Sequence, residues 1–201
     1  MGELRRSSEV RQGELVDAAL HIIASEGIAA LTTRNLADRV GLSSGAIFRH
    51  FASLDDLLAA VVARVEAVVE ETYPAEALPP LTRLERFVVA RSTAVGQQLG
   101  ILRLVLSEQF VLALPQGSSA KLAACVQRTR SFLVACLRDG QAAGQVRADL
   151  SAETLAPIVM GTVQMLALSA AGPRQRTAES AAVRATLLAL LAPCPGATAS
   201  R

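Results

Sequence analysis

Tryptophan is absent from these 201 residues, aromatics make up only 3%, and lysine occurs once, at Lys121. Few runs of aromatic or β-branched residues means little material for a sheet. A single lysine with no glycine-rich loop before it removes a Walker-type phosphate site. Two histidines, His21 and His50, are too few for a zinc enzyme. Cys125, Cys136 and Cys194 form no CxxC pair, and their odd number fits a reducing compartment. The first sixteen residues carry charges throughout and hold no apolar core of a signal peptide. A cytoplasmic protein with no cofactor and no metal is expected. A net charge of +2 gives no global basic signal for nucleic acid.

What the chain does have is alanine and leucine, with 51% apolar and 19% charged residues. That balance excludes disorder for its bulk and favours helix. Caps and breakers divide it into helices over residues 13–25, 33–40, 44–50 and 53–72. Ser53 with Asp56 three positions on has the spacing of a capping box. Beyond Tyr73-Pro74 and Pro79-Pro80, helices are expected over 81–98, 101–112, 119–143, 152–170 and 178–191. The fold class is therefore all-α, with about nine helices. Residues 1–52 would form a three-helix unit and residues 53–201 a larger helical bundle. Residues 154–173 carry no charge and are long enough to cross a bilayer. Pro157, Gly161, Thr162, Gln164 and Ser169 interrupt them without an aromatic belt, so a helix buried in a bundle or dimer is expected, and no membrane.

Residues 33–50 have the spacing of a helix-turn-helix. Ala37 is the small residue at the helix crossing, Gly41 suits the turn, and Ile47 packs back from the second helix. The face left over, Ser43, Ser44, Ala46, Arg49 and His50, suits a recognition helix entering a major groove. Any helical hairpin could share this spacing.

The surrounding residues narrow the choice. AAL at 18–20, EG at 26–27, LTTRNLADRVGLSSGAIFRHF at 31–51 and SLDDLL at 53–58 resemble the TetR/AcrR family of bacterial transcriptional regulators. GQAAGQVRADL at 140–150 is similar to the turn before the penultimate helix in many members. The resemblance implies a homodimer whose heads bind double-stranded DNA at a palindromic operator. A helical body would take a small-molecule effector and release the DNA. It implies that Thr33 touches a phosphate and that Arg34 reaches a base edge. Ser43, Ser44, Gly45 and Ala46 would form the groove-facing turn; Arg49 would meet base or phosphate, and His50 a phosphate. Phe48 stands among these DNA-facing residues where the family usually has tyrosine, and Leu54 where it usually has lysine. Residues 1–52 hold six arginines against six acids, which predicts a modest salt dependence. Arg5, Arg6 and Arg11 form an arm that either reaches the DNA backbone or stays solvated. The departures at Phe48 and Leu54 keep open a helical interaction module that no longer binds DNA.

An enzyme is the third class. Residues 41–45, GLSSG, spell the nucleophile elbow of serine hydrolases. That chemistry needs a preceding strand and a later histidine, and none follows His50. The match is chance, and no catalytic residue is expected.

Polar residues on apolar helical stripes are the candidate effector contacts. Arg91 and Gln98 share a stripe with Leu84, Val88 and Val95. Gln109 follows Leu99, Leu102 and Leu106, and Thr129 lies with Leu122, Val126, Leu133 and Cys136. Met160 and Gln164 align on the uncharged segment, and Phe110 and Phe132 complete the set, with core packing as the alternative for both and the expectation for Phe87. A buried Arg91 would need Glu108 or an anionic effector. Cys125 and Cys136 are eleven apart on one helix, too far to bridge each other, and are expected as buried thiols. Dimerisation is expected through the last two helices, with Val183, Leu187 and Leu190 as a seam.

Overall fold

The computed structural model describes residues 2–97, 108–168 and 173–193. Among them are nine α-helices, one 3₁₀ turn and no strand. They are α1 (Gly2–Glu26), α2 (Thr33–Val40), α3 (Ser44–Ile47), α4 (Leu54–Glu70), α5 (Pro80–Gln97), α6 (Glu108–Ala113), α7 (Gln116–Ala142), α8 (Ala152–Leu168) and α9 (Pro173–Leu191), with the 3₁₀ turn at Ile28–Ala30. The described residues fall into two compact units. One holds the described parts of 1–68 and 98–124, the other those of 69–97 and 125–201.

In the first unit, α1 buries Leu15, Ala19, Ile22 and Ile23, spaced to share one helical face. It packs against α2 and the 3₁₀ turn, and α2 packs against α3. Leu36, Ala37, Ile47 and Phe51 fill the space between them, and Leu57, Val61, Val62 and Val65 of α4 extend the core. α1 begins at Gly2, not at the expected residue 13, because nothing before Gly13 breaks a helix. α3 is shorter than expected. After Ile47 the amides of Arg49 and His50 bond three residues back, to Ala46 and Ile47, so the chain tightens into a turn.

In the second unit α5, α8 and α9 pack on one another. Leu84, Phe87, Val88, Leu133, Leu137, Leu155, Val159 and Val163 form its core. Leu187 belongs to this core at 3% exposure, which corrects its assignment to an intersubunit seam; Val183 is half-buried against the core and Leu190 is well exposed. The segment after α7 turns back closely: a Cβ on Gly140 would lie 2.6 Å from Val146 Cγ2, so only glycine fits. The Arg147 amide then donates to Leu191 O at 2.8 Å, tying this turn to the end of α9. No helix of the described residues is long and apolar enough to cross a membrane.

Candidate functional site: a nucleic-acid interface and a buried arginine

α2 and α3 owe their placement to three local devices. Thr32 caps α2, its hydroxyl accepting from the Asn35 amide at 3.1 Å. Gly41 ends α2 in the left-handed region, at φ 68° and ψ 34°, which glycine enters without a Cβ clash. Ser43 caps α3, its hydroxyl accepting from the Ala46 amide at 3.2 Å. Ser43 is the residue a serine hydrolase would use as nucleophile; here a helix precedes it and its oxygen serves as a cap.

Other contacts lock this pair of helices to α1. Asn35 donates to Glu26 and to Ala30 O, each at 3.0 Å, and Arg39 pairs with Glu26. Gln12 Nε2 donates to His50 O at 2.9 Å, fixing the end of the motif. Arg34, Ser43, Ser44, Gly45 and Arg49 are exposed, and Thr33 is half-buried. Phe48 keeps 49% of its surface in solvent, an unusual position for a phenylalanine. Ala46 departs from expectation. It is only 6% exposed, because its methyl packs inward beside Ile47, so it offers no side chain to a partner. His50 is half-buried, and its Nδ1 lies inside without a hydrogen-bond partner among the described residues.

The arginines here divide cleanly. Arg11 pairs with Glu14 and Arg39 with Glu26. Among the described residues neither Arg34 nor Arg49 has an ion-pair partner. Two uncommitted guanidinium groups on one exposed motif can take phosphate or guanine edges without first breaking a salt bridge.

The second cluster surrounds Arg91, which is 8% exposed. Its Nε donates to Thr72 Oγ1 at 2.7 Å, Nη1 to Thr129 Oγ1 at 3.4 Å, and Nη2 to Val69 O at 3.3 Å. Its guanidinium carbon lies 5.2 Å from the Tyr73 ring centre and 4.8 Å from that of Phe87. Phe132 meets both rings at 5.1 Å. Tyr73 Oη is 2.9 Å from Thr129 Oγ1. Burial, outweighing the Tyr73 contact, holds the Arg91 pKa below its ordinary value. Among the described residues no carboxylate forms an ion pair with it; the side chain of Glu108, the partner expected from sequence, lies outside them.

Of the expected effector contacts, Arg91, Thr129 and Phe132 come together here. Met160 is half-buried against the core of the same unit, and Gln164 is half-buried on α8. Phe110 is buried in the first unit. Gln98 and the side chain of Gln109 lie outside the described residues, as do Cys194 and the side chains of Arg5 and Arg6. Cys125 and Cys136 are buried free thiols, and burial raises the Cys136 pKa. Sequence reasoning missed Val69, Thr72 and Tyr73. One signal pointed to them: a buried arginine seeks oxygens, and the end of α4 supplies unpaired carbonyls.

Two capped helices joined by a left-handed glycine turn form a helix-turn-helix, with Arg34 and Arg49 exposed and, among the described residues, without an ion-pair partner. Residues 15–61 match the family model of bacterial regulatory proteins, tetR family. The HTH-type transcriptional repressor KstR2 of Mycobacterium tuberculosis is 34% identical over 93 residues, covering 42% of this chain and 44% of that protein. The HTH-type transcriptional regulator BetI of Paraburkholderia phytofirmans is 37% identical over 57 residues, 28% of this chain and 29% of that one. The matched region thus spans less than half the length of these curated relatives. The solved structure of the ketosteroid transcriptional regulator KstR2 of Mycobacterium tuberculosis superposes with a TM-score of 0.80 at 23% identity, covering 90% of this chain and 95% of that one. AibR, solved in complex with isovaleryl coenzyme A and operator DNA, gives 0.74 at 13% identity over 90% and 97%. Residues 15–61 thus match the model of this family, and the fold is like that of solved structures of its members.

Proposed function

We propose that this chain is a ligand-responsive DNA-binding transcriptional regulator: a cytoplasmic homodimeric repressor, without catalytic activity, released from a palindromic operator by a small-molecule effector. The observation that carries the reading is the pair of exposed arginines, Arg34 and Arg49, without ion-pair partners among the described residues, on a capped helix-turn-helix. In this reading residues 1–52 form the DNA-binding head and 53–201 the effector and dimerisation body. Thr33, Ser43, Ser44, Gly45, Phe48 and His50 flank the two arginines at the DNA. A Cβ on Gly45 would meet nothing within 4 Å, so the fold leaves its outer side open to a partner.

Dimerisation through α8 and α9 is supported by exposed apolar side chains. Ile158 and Met165 are seven residues apart on α8, hence on one face, and Met165 is 67% exposed; Leu190 is exposed on α9. A two-fold pair of heads would meet major grooves about 34 Å apart, or a multiple of it. α4 begins at Leu54, after the helix-turn-helix, and ends at Glu70 among the oxygens around Arg91. It is the element through which effector binding would act on the head, with a coupling of about 1–3 kcal/mol, or about 5–150-fold in DNA affinity.

Selection of random duplex DNA by the purified protein tests this, with an Arg34→Ala, Arg49→Ala variant alongside. A palindromic consensus enriched by the wild type and not by the variant is the expected result. A folded dimer that enriches nothing at low salt overturns the reading and favours the interaction module, to which Phe48 and Leu54 already point.

A further inference from the structure

Among the described residues Arg91 is the buried side chain with a permanent charge, and DNA binding gives it no task. Its surroundings supply neutral oxygens and ring faces; Glu70 acts on it only at a distance and is itself exposed. The three hydrogen bonds are unequal. Nε is held at 2.7 Å, whereas Nη1 and Nη2 reach their acceptors at 3.4 and 3.3 Å, beyond the usual range of about 2.7–3.2 Å. A guanidinium carries five N–H donors in a planar fork that matches a carboxylate. The terminal edge of that fork is therefore the loosely held part.

Its present acceptors do not depend on it. Thr129 Oγ1 already meets the Tyr73 hydroxyl, and Val69 O already accepts from the Thr72 hydroxyl at 2.6 Å and the Thr72 amide at 3.2 Å. Arg91 can leave both without stranding a buried oxygen. Tyr73 and Phe132 are each only half-buried, so neither residue of this pair is wholly taken up by the core.

We propose that Arg91 is the anchoring residue of the effector site, and that the effector is an apolar molecule bearing a carboxylate. The carboxylate takes Nη1 and Nη2 together, and the apolar body lies on the rings of Tyr73 and Phe132. This rests on the effector-responsive reading above and gives it a ligand class. It also gives a route. Val69 lies in the last turn of α4, where a cation complements the negative end of the helix dipole. A carboxylate on Arg91 competes with that turn for the guanidinium, so ligand binding and the capping of α4 oppose each other.

The composition supplies the probe. Tyr73 is the single tyrosine and there is no tryptophan, so intrinsic emission reports from this cluster. The full-length protein is titrated with straight-chain carboxylates from hexanoate to dodecanoate, each beside its neutral amide. The acids are expected to shift Tyr73 emission saturably, with the amides about ten- to a hundredfold weaker. Arg91→Lys, which keeps the charge and loses the fork, is expected to lose most of that preference. Amides that bind as tightly as acids, or a whole series that leaves Tyr73 emission unchanged, overturn the proposal; both comparisons use the wild-type protein, whose folding is not in question. The two readings fail separately. Carboxylate binding without DNA selection sinks the regulator, and DNA selection without acid preference sinks the ligand class.

Discussion

The helix-turn-helix and the Arg91 cluster use arginine in opposite ways. In the first, Arg34 and Arg49 are exposed and, among the described residues, have no ion-pair partner. In the second, Arg91 is withdrawn from water and surrounded by oxygens and rings drawn from α4, α5, α7 and the segment after α4. An exposed arginine costs the fold almost nothing and awaits an external anion. A buried one without a carboxylate is a standing cost that the rest of the cluster must offset. Function built on a local motif can therefore be altered without touching stability, whereas function built into a core cannot.

The sharpest way to break that contrast is in the core. Phe87→Ala removes a ring that is almost fully buried and lies against Arg91, and is expected to cost about 3–5 kcal/mol in urea unfolding. A loss under about 1 kcal/mol would show that the cluster is not structural. Next come Arg34→Ala and Arg49→Ala, each expected to weaken specific DNA binding by about 1–3 kcal/mol. Their unfolding free energies should stay within about 0.5 kcal/mol of wild type. Unfolding and DNA binding falling together would erase the distinction between the two regions. Thr32→Ala tests the motif's own scaffold: loss of the α2 cap is expected to cost about 1 kcal/mol, read by thermal unfolding.

The smallest effect is in acid. Asp149, hydrogen-bonded to Arg147, and Glu153, bonded by its own backbone and Arg138, both have folded pKa values below their ordinary ones. A depressed carboxylate stabilises the fold fully above its unfolded pKa. That contribution disappears as pH falls through the folded value. Denaturation from pH 6 to pH 3 should show a slight loss in the wild type that an Asp149→Asn, Glu153→Gln variant lacks. Since both groups are exposed, the loss should be smaller than that from either core or cap.

Legibility followed the range of the interactions. α2 has the bounds its sequence predicts because Thr32 and Gly41 mark its ends within a turn of the helix they delimit. Ser53 caps α4 as its spacing with Asp56 implied, accepting from the Asp56 amide at 3.1 Å. α3 was shorter than its pattern because the chain tightens at Arg49 and His50, a turn with no glycine or proline to announce it. Ala46 was misplaced for a related reason: which side of a four-residue helix faces inward depends on the helix it meets, not on its own composition. Leu187 went wrong on α9 likewise, where an apolar stripe fits an internal core and a subunit interface equally well.

Sequence alone determined the helical class, the cap and glycine turn that bound α2, and the likeness of residues 15–61 to the tetR family, because each is written in residues within a few positions of one another. Tertiary structure decided the rest. Among the described residues it left Arg34 and Arg49 without ion-pair partners while giving Arg39 to Glu26. It brought Tyr73, Phe87 and Thr129 to Arg91 from across 57 residues of chain, Tyr73 to Thr129 inclusive. Contacts at that separation depend on how helices pack, and helix periodicity specifies which face is apolar without specifying what covers it.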